Sequence, residues 1–137
     1  MPGKVARDVV ALGMANDVEK AVETYVRAWR EPDPALRSEL VAQCFAENGR
    51  MVTRSREIVG RAALEAEMNR FLANPEIHHI EVISAIDALG TIFRFRSHVE
   101  WQDGTTSESF DAGEIDANGQ ISLLLTFAGP LADASEP

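Results

Sequence analysis

Residues 110–130 read FDAGEIDANGQISLLLTFAGP. Asn118-Gly119 at the centre is a strong hairpin signal, because both residue types tolerate the positive φ that a tight turn requires. Alternating apolar residues flank it, so the stretch predicts antiparallel strands near 105–116 and 120–128. Asp103-Gly104 is a second signal of the same kind. It adds a strand near 91–102, in which Phe93, Phe95, Val99 and Trp101 recur mainly at a period of two. Ile80, Val82 and Ile86 carry the strand character back to Pro75.

Before Pro75 the period is helical. Asn16-Asp-Val-Glu19 reads as a helix start with Asn16 as N-cap, and Val18, Val22, Tyr25 and Trp29 form its apolar stripe. Pro32 ends that helix. Asp33-Pro34 starts another, with Leu36, Leu40, Val41, Cys44 and Phe45 expected on its buried side. A third helix is expected from about Arg61 to Ala73, burying Leu64, Met68, Phe71 and Leu72, with Met51–Thr53 as a short strand before it. Helices first and an antiparallel meander later make an α+β pattern.

The totals are those of one globular domain over residues 1–137, with a core at about 16–131 and a loose tail at 132–137. No apolar run approaches the roughly 20 residues of a membrane span. Lys4 and Arg7 precede a minimal apolar run that Asp8 adjoins, which argues against a signal peptide. With one cysteine, Cys44, no internal disulfide or cysteine-based zinc cage is possible, and a cytoplasmic location is expected. Formal net charge is −9, and residues 97–137 hold eight acids and no Lys or Arg. That balance disfavours nucleic acid, whose phosphates require a basic footprint. GRMVTRSREIVG at 49–60 gathers Arg50, Arg54 and Arg56 in twelve residues, with Arg61 next. These are expected to balance nearby acids such as Glu47 and Glu57, the alternative being that Arg54 or Arg56 meets an anionic ligand.

The order AWREPDPALRSELVAQCFAENGRMV, IVGRAALEAEMNRFL, FDAGEIDANGQISLLLTFAGP resembles the nuclear transport factor 2-like superfamily. It is most similar to the SnoaL-like branch, which includes ketosteroid isomerase. The resemblance covers about residues 16–131. It implies a cone, in which a curved antiparallel sheet wraps three helices around an apolar pocket, and a homodimer formed through the sheet. Three positions carry over from ketosteroid isomerase, an enzyme with an Asp base and a Tyr–Asp oxyanion pair. TYVRAW places Tyr25 at the family's tyrosine, and FDAGEIDANGQI places Asp111 at its second aspartate. FAENGRMVT places Thr53 at the base. Threonine has no proton-accepting pKa near neutrality, so the usual base is missing. Glu57, four residues on, is a weak substitute. The epoxide hydrolases of the superfamily use an Arg and an Asp two apart on a strand, where this chain has Arg94-Phe-Arg96. The resemblance implies Tyr25 and Asp111 as catalytic donors, with Trp29, Thr53, Phe95, Val99, Leu124 and Thr126 lining a substrate pocket.

Strand parity conflicts with that placement. A two-residue turn at Asp103-Gly104 sets Arg96 opposite Asp111 and moves both to the face away from Phe93 and Phe95. His98 shares that face. The Asn118-Gly119 turn sets Asp111 opposite Thr126. The family register instead puts Asp111 in the cavity with Phe95 and Val99, and both hold only if a bulge near 103–106 flips the parity. The family register is taken as the expectation, because turn lengths are poorly legible in sequence.

Adjacent His78 and His79 face opposite ways on a strand and do not ligate one metal. Cys44 reads as a buried thiol. No phosphate loop, dinucleotide fingerprint or Ser-His-Asp order appears, and no cofactor or metal is expected. The functional expectation is a pocket protein for a small apolar, oxygen-bearing molecule, acting by acid–base or oxyanion chemistry. The alternatives are a non-catalytic binder of hydrophobic ligands and a dimeric interaction module using Leu123–Phe127.

Overall fold

The computed structural model describes residues 2–134, with side chains from residue 16 onward. Its elements in chain order are α1 (Pro2–Arg30), α2 (Pro34–Cys44), β1 (Phe45–Val52), β2 (Glu57–Val59), α3 (Arg61–Ala73) and β3 (Ile77–Val82). They continue with β4 (Asp87–Leu89), β5 (Ile92–Trp101), β6 (Thr106–Ile115) and β7 (Ile121–Ala128). Of the tail expected to be loose, residues 132–134 carry no helix or strand and 135–137 lie outside the described residues.

The expected start of the first helix is corrected. α1 begins at Pro2 and runs through Asn16 and Asp17, so Asn16 is not a cap. Asn and Asp inside a helix cost only about 0.7 kcal/mol each against alanine, too little to stop a helix whose later turns are packed. Val18, Ala21, Val22, Tyr25, Ala28 and Trp29 form the buried face of α1. α2 starts as its sequence predicts, with Asp33 accepting from Ala35 N at 2.9 Å and Pro34 in the first turn. Its buried stripe differs from expectation. Leu36 is 47% exposed, whereas Arg37 is 4% exposed. The Arg37 guanidinium donates to Glu31 O at 2.9 Å, to Pro32 O at 3.2 Å and to Asn69 Oδ1, tying the α1–α2 turn to α3.

The strands form one curved, unclosed sheet in the order β2-β1-β7-β6-β5-β3, with β4 also pairing β5. The sheet is mixed rather than antiparallel, because β1 runs parallel to β7. β1 is also longer than the short strand expected, starting at Phe45 directly after α2. Residues 49–60 are a hairpin within this sheet. Arg50 stands opposite Val59, and its guanidinium bonds Glu57 Oε1 at 2.8 Å. Arg56 pairs with Glu67, Arg54 donates to Ala128 O and Arg61 donates to Phe45 O. The arginines therefore hold the hairpin to its neighbours, and Glu57 is turned outward by Arg50.

Two three-residue turns set the registers. Around Gln102-Asp103-Gly104, Trp101 N donates to Thr105 O at 2.8 Å and Gly104 adopts φ +86°. Asp103 Oδ1 accepts from Thr105 N and Oγ1. The extra loop residue, against a two-residue turn, moves β5 by one position, so Phe95 rather than Arg96 stands opposite Asp111. Ala117-Asn118-Gly119 forms a similar turn, with Asp116 N donating to Gln120 O at 2.8 Å. Here a register shift between Glu114 and Ile115 compensates, and Asp111 does face Thr126. Gly113 allows the strands to curve tightly: a Cβ there would lie 2.3 Å from Leu123 O and 2.7 Å from Phe93 Cζ.

Candidate functional site

A cavity of about 150 Å3 lies between α1, α3 and the concave face of the sheet. α1 presents Tyr25, Val26 and Trp29 to it, β1 presents Met51 and α3 presents Phe71. The sheet adds Ile80, Phe95, Ser97, Val99, Ser109, Asp111 and Thr126. Of the positions singled out in the sequence, Tyr25, Trp29, Phe95, Val99, Asp111 and Thr126 meet here. Two do not. Thr53 Oγ1 instead accepts from Ser55 N at 3.3 Å and Arg56 N at 3.2 Å, closing the 53–56 turn outside the cavity lining. Leu124 is fully buried in the core opposite Gly113 and does not reach the cavity.

Asp111 is 5% exposed and is the one carboxylic acid among the residues lining the cavity. Ser97 Oγ donates to its Oδ2 at 3.3 Å, while Oδ1 has no hydrogen-bond partner among the described residues. Burial raises its pKa to about 6, with Thr126 and Ser97 restraining the rise. Thr126 Oγ1 stands across the β6–β7 ladder but closes no acceptable hydrogen bond, so its effect on the carboxyl is that of a nearby dipole. The alternative parity, with Asp111 facing outward beside Arg96, does not form, and Asp111 stands opposite Phe95 as the family register implies. Arg96 reaches Glu108 at 4.0 Å on the opposite face, and His98 lies 3.5 Å from Glu81 there.

Tyr25 is 5% exposed, and its hydroxyl meets only a weak acceptor, Met51 Sδ at 3.6 Å. Burial, reinforced by the charge of Asp111, holds its pKa well above the ordinary value. The phenol thus stays protonated and able to donate. Trp29 stands edge-on to both Tyr25 (6.2 Å between ring centroids) and Phe71 (5.2 Å), forming an aromatic wall. Cys44 is buried on α2, with its thiol pKa pushed up to about 12, so it is a core group and not a nucleophile. Ser97, Ser109 and Met51 were missed in the sequence, because serines and a methionine carry no period or motif that marks a pocket. No group of three or more His, Cys, Asp or Glu among the described residues is arranged to hold a metal ion.

An apolar chamber with a protonated phenol and a carboxyl that titrates near neutrality can bind a polar oxygen and move a proton beside it. No described helix is long and apolar enough to cross a membrane.

No protein-family model matches the chain, and no curated protein sequence does. Solved structures do. A candidate isomerase of the SnoaL-like family from Agrobacterium tumefaciens strain C58 is 24% identical, with a TM-score of 0.74 over 84% of this chain and 99% of the other. A nuclear transport factor 2-like protein of unknown function from Exiguobacterium sp. 255-15 is 18% identical, with a TM-score of 0.63 over 81% and 99%. The epoxide hydrolase/cyclase-like enzyme SalBIII, which acts in pyran ring formation in the polyether salinomycin, is 21% identical, with a TM-score of 0.64 over 84% and 92%. The three helices, the curved unclosed mixed sheet and the cavity they enclose are together the nuclear transport factor 2-like fold.

Proposed function

We propose that this protein is a small-molecule enzyme of the SnoaL-like type, catalysing a proton shift in an oxygen-bearing substrate. The observation that carries this reading is Asp111, a buried carboxyl among the cavity-lining residues, with a pKa of about 6 and one oxygen that has no hydrogen-bond partner among the described residues. As carboxylate it takes a proton from carbon next to a carbonyl. The C–H electron pair becomes the C=C bond of an enolate, whose oxygen accepts from the Tyr25 hydroxyl. Asp111 then returns the proton to the same or another carbon, so no oxidant or co-reactant enters. Asp111 in this scheme fills the role left empty at Thr53. The candidate isomerase and the cyclase-like enzyme that share the fold support the class of chemistry.

The test is deuterium uptake at the carbon next to the carbonyl of small cyclic ketones in D2O, followed by NMR. Acceleration by the wild type, depressed on the order of 100-fold or more in Asp111→Asn and less in Tyr25→Phe, is the expected result. Equal rates in all three proteins exclude the assignment. Ketones that bind without exchange make the protein a binder instead.

A second reading concerns assembly. Phe110 and Phe127 face one another across β6–β7 on the outer side of the sheet, 38% and 44% exposed. Leu123 and Leu125 lie on the same side, only partly buried. This apolar outer face supports a homodimer through the sheet, tested by the mass in solution as concentration is varied.

A further inference from the structure

The cavity does not stand alone. Trp29, Phe71 and Ile80 form a wall with the chamber on one side and a second hollow, of about 300 Å3, on the other. The two hollows differ in chemistry. The chamber holds Asp111 at the sheet, whereas the outer hollow contains Arg30, His78 and His79 and no carboxylate in its lining. Glu81 stands 3.7 Å from His79 Nε2 at its edge, but within the lining itself a permanent cation meets no acid, and in a chain of net charge −9 that combination suits an anion. Among the described residues Arg30 pairs with no carboxylate, and its Nη2 donates toward His79 Nε2 at 3.5 Å, a long contact between groups that are both donors when histidine is protonated. A carboxylate is a better acceptor for this guanidinium than the imidazole it now faces.

The size of the chamber is the second constraint. A space of 150 Å3 holds a guest about the size of benzene, and drug-sized ligands occupy roughly twice that or more. A four-ring substrate is larger than this space. Phe71 and Ile80 are the partly buried members of this wall, packed against the core, and a thin connecting chain between the two hollows would pass between them.

We propose that the ligand is a small organic acid in two parts: a single ring with a neutral oxygen substituent in the Asp111–Tyr25 chamber, joined by a short flexible arm to a carboxylate on Arg30. This deepens the preceding assignment and rests on it for the identity of the chamber. Arg30 is a specificity residue here, since it touches the substrate away from the reacting atoms.

Calorimetric titration of the full chain tests it. The probes are phenol, the 4-hydroxyphenyl acids with arms of one, two and three methylene groups, and their neutral amides. At the best arm length the acid binds about tenfold more tightly than its amide, and added salt erodes the difference. Arg30→Gln removes the difference while leaving phenol affinity and the thermal midpoint unchanged. Acids that match their amides at every arm length, or an advantage that survives Arg30→Gln, overturn the proposal while phenol binding leaves the chamber assignment standing. Loss of phenol binding in Arg30→Gln also overturns it, by making Arg30 a structural residue. If neither phenol nor any acid binds the wild type, the chamber assignment fails and this proposal falls with it.

Discussion

Phe95 stands directly opposite Asp111 across β5 and β6, and this pairing turns the carboxyl onto the concave face. Ser97, two residues on, then points the same way and donates to Asp111 at 3.3 Å. Both relations follow from the three-residue loop at 102–104, one residue longer than the shortest hairpin. The chemistry of the site therefore depends on the length of a turn at the far end of the strands.

Asp111 makes stability depend on pH. Its folded-state pKa of about 6 lies above the ordinary 3.8, so the native state binds this proton more tightly than the unfolded chain does. The stabilisation from protonation is complete below 3.8 and is lost as pH rises through about 6. Asp111→Asn cannot ionise, and at pH 8 it is expected to be more stable than wild type by up to about 3 kcal/mol. The advantage shrinks as pH falls from 6 towards 4. Urea melts at pH 8 and pH 4 check this, and an equal difference at both values contradicts it.

Turnover should show the same group. Proton abstraction requires the carboxylate, so activity rises with pH through an apparent pKa near 6. Tyr25→Phe keeps that limb at a lower rate, since the phenol donates but does not titrate in the range. A pH–rate profile of the two proteins decides the point; a limb shifted by more than about a unit in Tyr25→Phe argues that the groups titrate together.

Arg37→Met is expected to cost about 3 kcal/mol, because it strands the acceptors Glu31 O, Pro32 O and Asn69 Oδ1 at the α1–α2 turn. Leu36→Lys, at the neighbouring exposed position, should change stability by less than about 0.5 kcal/mol. Denaturant midpoints of the two variants measure the contrast, and similar losses would contradict the burial of Arg37.

Gly113→Ala places a methyl group against Leu123 O, a backbone atom, and the buried Phe93 ring. A loss of about 2 kcal/mol is expected, read as a fall in the thermal midpoint. Gly113→Ala combined with Phe93→Leu relieves the ring contact but not the one with the Leu123 carbonyl, so only partial recovery follows.

Phe127→Glu puts a charge on the outer face of β7, opposite Phe110. If that face joins two copies, the variant should be monomeric at concentrations where wild type is dimeric. Sedimentation across a hundredfold concentration range compares them, and a wild type that stays monomeric throughout rules out the sheet dimer.

Several features were legible in the sequence because they rest on local rules. Asp33-Pro34 marks the start of α2, the 61–73 period marks α3, and Asp-Gly and Asn-Gly separate strands 92–101, 106–115 and 121–128. The stripe from Val18 to Trp29 placed Tyr25 inward, as three- and four-residue spacing requires. Charge spacing drew attention to 49–60, and Glu57 was legible as a nearby acid that balances its arginines, as its pairing with Arg50 bears out. The distant partner Glu67 was not, because it follows from the packing of α3.

What the sequence by itself determined was the three helices and the longer strands in their order, without the three-residue β2 and β4, since helix caps, turn residues and hydrophobic period act over a few neighbours. Only the tertiary structure decided where Asp111 points, because a strand's faces alternate every residue and one added turn residue exchanges them. It likewise decided that Arg37 is inside and Leu36 outside, that Thr53 closes a turn and that Leu124 fills core. Arg37 depends on Asn69 on α3 as well as on the nearby carbonyls of Glu31 and Pro32, and Leu124 on the core that closes around it. The turn of Thr53 is local, but its place outside the cavity lining depends on how the β1–β2 hairpin packs in the sheet.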